Sequence, residues 1–312
     1  EQEIKSVIDA SEITELDLDE IDGITTGIKE IDVQLMKLFF GTLTIVSGSP
    51  SAGKSSFLSQ ISCNAMEEGH NVWVYSGELP NWLQKSWINY IFAGRHNIKE
   101  YFDANGAQYY KVTPDAKNQI NTAYKDKCFI YRDDQSNKLD DLLTSMEECA
   151  RRKGCKLFLL DNLMTIDIGS TPEGELSKQT ECINRLIQFA RKYQVAVLLV
   201  CHPRKMPAGT DVGMMDISGS MNIINLAHRT LGLARIDQQK EQIDKDVRLT
   251  IIKDRFRGKN NTKIEMYYDI PTRRFYTTPD EFRRDYTWDT KDYGNDKIPY
   301  PHSDEDEIYG TV

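Results

Sequence analysis

The chain has 312 residues, 39% hydrophobic and 28% charged, with a formal net charge of −9. That length buries one large α/β core more readily than two equal domains, and no apolar run approaches the roughly 18 to 20 residues of a membrane span, so no membrane partner is expected. The six cysteines (Cys63, Cys128, Cys149, Cys155, Cys182, Cys201) include no C-x-x-C pair, which argues against a zinc site or a disulfide framework and for reduced, buried thiols.

Residues 1–22 hold nine acids and one Lys, net −8, and residues 280–312 hold ten acids and four bases, net −6, which leaves +5 on the segment between. A mildly basic core between two acidic arms suits an anionic partner better than the total charge implies. The arms serve either solubility alone or partner docking and competition for a basic site. The start at Glu1, acidic and not Met, reads as an excised or processed fragment without a signal sequence and leaves an upstream domain open.

Leu43 to Ser47 is the first predicted strand, Lys54 to Glu68 the helix after it, and Asn71 to Ser76 the second strand, entered through a break at Gly69. The polar stretch 98–125, rich in Tyr, Asn and Asp, is expected to be an insertion of helices and loops. Lys127 to Tyr131 and Lys156 to Asp161 are further strands with a helix over Lys138 to Lys153 between them, followed by a helix over Glu175 to Tyr193 and an apolar strand over Val195 to Cys201. From Arg229 the helices thin out: Thr230 to Ile236, Asp246 to Lys253, Thr262 to Tyr268 and Arg274 to Thr277 predict strands joined by turns. The expected fold is α/β, a mostly parallel twisted sheet flanked by helices with an antiparallel C-terminal extension. An acidic arm (1–22), the domain proper (23–279) and an acidic tail (280–312), unstructured from Thr287, complete the expected organisation.

Gly48-Ser49-Pro50-Ser51-Ala52-Gly53-Lys54-Ser55 lies between an apolar strand and a helix, the setting that a phosphate-binding P-loop requires. Its glycines let successive N–H groups face phosphates at a helix N-terminus, with Ser56 following in the first turn. Lys54 is placed to reach the β- and γ-phosphates and Ser55 to bind Mg²⁺. Phosphoryl transfer needs a second acid near the metal, and Asp161 stands at the end of a fully apolar strand, where α/β sheets present ligand-contacting groups. Glu78 follows the second strand at the same edge and is the candidate for activating the attacking water. His202 follows the strand ending at Cys201. The loop Arg204 to Ser220 behind it, with Arg204 and Lys205, suits nucleic-acid phosphates.

Together these residues resemble the RecA-like ATPase domain of DnaB-like hexameric replicative helicases, and among them the phage and Twinkle-type primase-helicases, over Gly23 to Thr278. The resemblance lies in Thr26-Gly27-Ile28-Lys29-Glu30-Ile31-Asp32, the P-loop, Tyr75-Ser76-Gly77-Glu78-Leu79-Pro80, Asp161-Asn162, Cys201-His202-Pro203-Arg204-Lys205, Asp216-Ile217-Ser218-Gly219-Ser220, Leu231-Gly232-Leu233-Ala234-Arg235 and Lys253-Asp254-Arg255-Phe256-Arg257-Gly258. It implies Glu78 as catalytic base, His202 as the γ-phosphate contact, and Arg255 with Lys253 as residues that reach a neighbouring subunit's nucleotide. It implies DNA contacts at Arg204, Lys205, Gly219, Ser220 and, where the family often carries Gln, Asn225. Read from the residues alone, Lys253 and Arg255 share one face of a strand, equally consistent with an interface and with a solvated edge.

The implied activity is hydrolysis of ATP or dTTP with Mg²⁺ by a hexameric ring on single-stranded DNA, with 5′–3′ unwinding. A primase domain or polymerase at the acidic tail and residence in the cytoplasm, ahead of the mitochondrial matrix, complete the expectation. In the family a helix before the core docks on the adjacent subunit; Ile4 to Leu16, with Ile4, Val7, Ile8 and Ile13 on one side, is its counterpart. The alternatives are a recombinase-type filament ATPase and a nucleotide-gated loading scaffold with little turnover.

Overall fold

The computed structural model describes residues 6–169, 174–203, 221–293 and 298–302. In chain order the strands are β1 (Gly23–Ile24), β2 (Leu38–Phe39), β3 (Thr42–Gly48), β4 (Asn71–Ser76), β5 (Ile98–Phe102), β6 (Gln108–Val112), β7 (Cys128–Ile130), β8 (Cys155–Asp161), β9 (Ala196–Cys201), β10 (Arg229–Arg235), β11 (Val247–Asp254), β12 (Thr262–Asp269) and β13 (Arg274–Tyr276). The helices are α1 (Lys29–Leu35), α2 (Lys54–Glu67), α3 (Asn81–Ala93), α4 (Pro114–Ala123), α5 (Leu139–Arg152), α6 (Glu175–Tyr193), α7 (Met221–Leu226), α8 (Gln238–Glu241) and α9 (Pro279–Arg283).

Among the described residues, nine strands form one sheet in the order β13-β12-β11-β10-β3-β9-β8-β4-β7. From β10 to β7 every pairing is parallel, and β11, β12 and β13 continue the sheet antiparallel, as the change of texture after Arg229 predicts. Alternation along the strands explains why both faces are covered. Val72, Val74, Leu157 and Leu159 enter one core with α2 and α3, whereas Trp73, Tyr75, Phe158 and Leu160 enter a second core with α5 and α6. Parallel strands all end at one edge, so Gly48, Ser76, Asp161 and Cys201 open on the same side of the sheet. The six cysteines are free thiols, four of them buried and two half-buried.

Three expectations need correction. Residues 98–125 contain an antiparallel hairpin, β5 on β6, before α4; Asp103 Oδ1 accepts from the Asn105 and Ala107 N–H groups and closes its turn, a signal hidden within a polar stretch. Among the described residues of the N-terminal arm the only helical turn is a 3₁₀ turn at Ala10–Glu12, and Val7, Ile8, Ile13 and Leu16 are exposed. So short a segment has no buried face to repay helix nucleation; Ile4 lies outside the described residues. Of the tail from Thr287, the described residues 287–293 and 298–302 pack on the body, and the rest lies outside the described residues. Tyr286 is buried against Phe92, Trp288 Nε1 donates to the Phe92 carbonyl at 2.8 Å, Tyr293 stacks on His96 at 3.8 Å, and Tyr300 is buried beside Phe282. Its aromatic residues outweigh its charge.

Candidate active site

All seven residues of β3 are buried, and the strand delivers Gly48 to the open edge between β9 and β10. Gly53 adopts φ +89°, and a Cβ there would sit 2.6 Å from the Phe275 ring, so conformation and space both require glycine. Arg235 Nε donates to the Ser51 carbonyl at 2.8 Å and braces the loop from β10. The helix N-terminus that follows leaves its first N–H groups without intrahelical partners, a setting for an anion. Lys54 is buried and donates from Nζ to the carbonyls of Gly48 (2.9 Å) and Ser49 (3.0 Å), which leaves one of its three donors. Burial pushes its pKa down against the pull of Asp161 and Glu78.

Asp161 stands at the end of β8, two strands from β3, and accepts from Ser55 Oγ at 2.5 Å. Burial raises its pKa, and the charge of Glu78 adds to that against the Ser55 hydrogen bond. Among the described residues no group of three or more His, Cys, Asp or Glu gathers to hold a metal by itself. A hydroxyl and a carboxylate in contact are nevertheless the hard oxygen pair with which Mg²⁺ joins a protein when phosphate and water supply the remaining ligands.

Glu78, half-exposed beyond β4, turns toward β8 and β9. Its Oε1 accepts from Asn162 Nδ2 at 2.5 Å and lies 3.1 Å from His202 Nε2. Gly77 permits this approach, because a Cβ there would meet Thr165 Oγ1 at 2.0 Å. Tyr75 OH donates to the Thr165 carbonyl at 3.1 Å and ties the two strand ends together.

These groups open on a cavity of about 650 Å³, within the range of small-molecule sites. It is lined by Pro50 to Ser56 with Glu78, Asp161 and His202, and also by Trp87, Tyr268, Ile270, Arg273 and Phe275. Arg273 lies 3.9 Å over the Trp87 ring, and Ser56 Oγ is 3.3 Å from Tyr268 OH. Gly48 and Ser49 lie behind the loop as acceptors for Lys54. Sequence reasoning assigns no role to Asn162, Trp87, Arg235 or Arg273. Asn162 is signalled by its place beside Asp161; Trp87 and Arg273 come from distant elements and no spacing joins them.

Lys253 and Arg255 do not line this cavity. Lys253 Nζ donates to the Ile224, Asn225 and Ala227 carbonyls at 2.6 to 3.0 Å, and Arg255 donates to the Asn225 carbonyl. Burial and the neighbouring Arg255 charge push the Lys253 pKa down to about 8. Asn225 is exposed near the end of α7. Arg204, Lys205, Gly219 and Ser220 lie outside the described residues.

A mostly parallel sheet with a P-loop at its central strand, an acid two strands away at the same edge and an antiparallel extension defines a RecA-like fold. The chain belongs to the AAA domain family, whose model matches residues 11–208. It is 25% identical over 214 residues to the Twinkle homolog protein, chloroplastic/mitochondrial, of Arabidopsis thaliana, covering 65% of this chain and 29% of that protein. It is 24% identical over 249 residues to a probable plasmid replicative DNA helicase of Chlamydia psittaci, covering 78% and 52%. The chain thus spans about a third to a half of the length of these relatives. Among solved structures, that of a DnaB-like replicative helicase superposes with a TM-score of 0.65 at 15% identity over 82% of this chain and 63% of the other, a likeness of fold.

Proposed function

We propose that this domain is the NTP-hydrolysing motor of a replicative DNA helicase, working as a hexameric ring that moves 5′ to 3′ along single-stranded DNA. The observation that carries the reading is the convergence of Lys54, Ser55, Asp161, Glu78 and His202 on a single cavity. Ser55 and Asp161 would hold Mg²⁺, which when bound neutralises charge on the β- and γ-phosphate oxygens of ATP or dTTP. Lys54 turns its remaining donor to those phosphates, Glu78 takes the proton of the attacking water, and His202 contacts the γ-phosphate.

Lys253 and Arg255 complete the site of a neighbouring copy, a role supported by their position away from their own cavity. The loop 204–220 and Asn225 contact the DNA backbone, and affinity falls steeply with salt. A primase domain or polymerase is the partner assigned to the tail, and the cytoplasm is the assigned compartment. Forked-substrate unwinding with steady-state ATPase, with and without single-stranded DNA, tests the reading alongside negative-stain images. DNA-stimulated turnover, strand separation and closed rings are expected. Helical filaments without unwinding would instead favour a recombinase, and turnover indifferent to DNA a loading scaffold.

A further inference from the structure

Asn162 is fully buried, and both ends of its carboxamide are engaged. Its Oδ1 accepts from the Met164 N–H at 2.9 Å and caps the 3₁₀ turn Leu163–Thr165. That bond fixes which end is oxygen, so Nδ2 is the end that faces the cavity side. Nδ2 lies 2.5 Å from Glu78 Oε1 and 2.8 Å from His202 Nε2, while the same Nε2 lies 3.1 Å from Glu78 Oε1.

Hydrogen count decides what these three contacts can be. An amide nitrogen only donates, a carboxylate only accepts, and an imidazole nitrogen does one or the other. Without a proton, Nε2 accepts from Asn162 and offers Glu78 nothing. With a proton, Nε2 donates, and it meets the second Asn162 N–H as donor against donor. The triangle therefore holds two hydrogen bonds at a time, and the position of the His202 proton selects which two.

We propose that Asn162 is a positioning residue that couples Glu78 to His202. With the imidazole proton on Nδ1, the amide holds carboxylate and imidazole together. With the proton on Nε2 and directed at a phosphate oxygen, His202 leaves the amide, and Asn162 retains Glu78 alone, fixed for the water. This rests on the roles given to Glu78 and His202 above, and it makes the water-activating carboxylate depend on whether a phosphate is present.

A purely structural Asn162 would act only through its cap on Met164, and two substitutions separate the possibilities. Asn162→Asp keeps an acceptor for the Met164 N–H, removes both donors and sets a second carboxylate against Glu78. Asn162→Ala removes cap and donors alike. For the full chain, kcat and KM with DNA are measured beside the dissociation constant of a fluorescent ATP analogue. The expected result is a kcat lowered about ten- to hundredfold in both variants, Asn162→Asp at least as low as Asn162→Ala, with nucleotide affinity within about threefold of the parent. In combination with His202→Ala, the loss from Asn162→Asp should shrink, because the two residues act as one unit.

Wild-type kcat in Asn162→Asp beside an inactive Glu78→Gln overturns the coupling alone, as do effects of Asn162→Asp and His202→Ala that simply multiply. Wild-type kcat in Glu78→Gln, or a parent chain without turnover, overturns the underlying roles and the coupling with them.

Discussion

Ser55 Oγ donates to Asp161 Oδ2 at 2.5 Å, joining the first turn of α2 to the end of β8. The hydrogen bond favours the carboxylate, yet burial dominates and the Asp161 pKa is raised. A carboxyl whose folded pKa exceeds its unfolded one stabilises the fold most below the unfolded value and loses that contribution as pH rises through the folded one. Ionisation of Asp161 therefore opposes folding of the nucleotide-free protein. Asp161→Asn should raise the nucleotide-free Tm while abolishing turnover, and Mg²⁺ with ATP should then stabilise the variant less than the parent. Paired calorimetry and ATPase assays check this; a lowered nucleotide-free Tm counts against the burial argument.

Glu78→Gln preserves the acceptor that Asn162 Nδ2 uses, so the local geometry should hold. Turnover should fall by about 10² or more through loss of the base, with nucleotide affinity little changed. Single-turnover hydrolysis beside equilibrium binding separates the two effects, and turnover within a few-fold of the parent would exclude Glu78 as the base.

What the sequence made legible follows from locality. Each of Lys54, Ser55, Glu78, Asp161 and His202 sits within two residues of the C-terminal end of an apolar strand or at a helix start, and parallel strands bring such ends together whatever their order. The rest of the cavity lining was not legible. Trp87 lies midway along α3 and Arg273 follows β12, and only the folded chain stacks them. The tail misled for a related reason: local charge predicts disorder, whereas Tyr286 and Trp288 find a distant partner in Phe92. Arg274, fully buried, donates to the Ile91 carbonyl at 2.8 Å and lies 5.0 Å over the Tyr286 ring, an arrangement with no counterpart in any spacing rule.

Trp87 and Arg273 line the same cavity as the phosphate loop, and the remainder of a nucleotide held at Gly48 to Ser55 is expected to reach them. Trp87→Ala removes the surface on which the Arg273 guanidinium rests. Without the ring and its partly desolvated cation–π interaction, KM should rise about tenfold. Because neither residue is assigned a part in the chemistry, kcat should stay within about twofold. Steady-state kinetics over nucleotide concentration decides it; a fall in kcat at unchanged KM would move this pair into the catalytic machinery.

Mixed rings test the origin of Arg255. Arg255→Ala subunits keep an intact phosphate loop, and Lys54→Ala subunits keep the arginine. If the arginine serves a neighbour, mixing two inactive proteins restores turnover at interfaces that pair one with the other. If it serves its own subunit, every mixture stays inactive. ATPase titrated across mixing ratios, with assembly checked by sedimentation, distinguishes the two results.

Asp32 offers a stability readout away from the cavity. Its carboxylate accepts from the Thr26 N–H (2.7 Å), the Thr26 hydroxyl (2.8 Å) and the Gly27 N–H (3.0 Å). Three donors should lower its pKa, yet burial outweighs them, Glu68 adds its charge, and the pKa rises from 3.8 to about 6. The protonated form is thus the better fit to the fold. Its contribution is fully present below pH 3.8 and is lost as pH climbs through about 6. Asp32→Asn cannot ionise, so the difference in unfolding free energy between parent and variant should shift in favour of the variant from pH 4 to pH 6.5 and level off above. Urea unfolding at half-unit pH steps measures that difference directly, and a difference that stays constant across the window would place the Asp32 pKa near its ordinary value, with the three hydrogen bonds prevailing over burial.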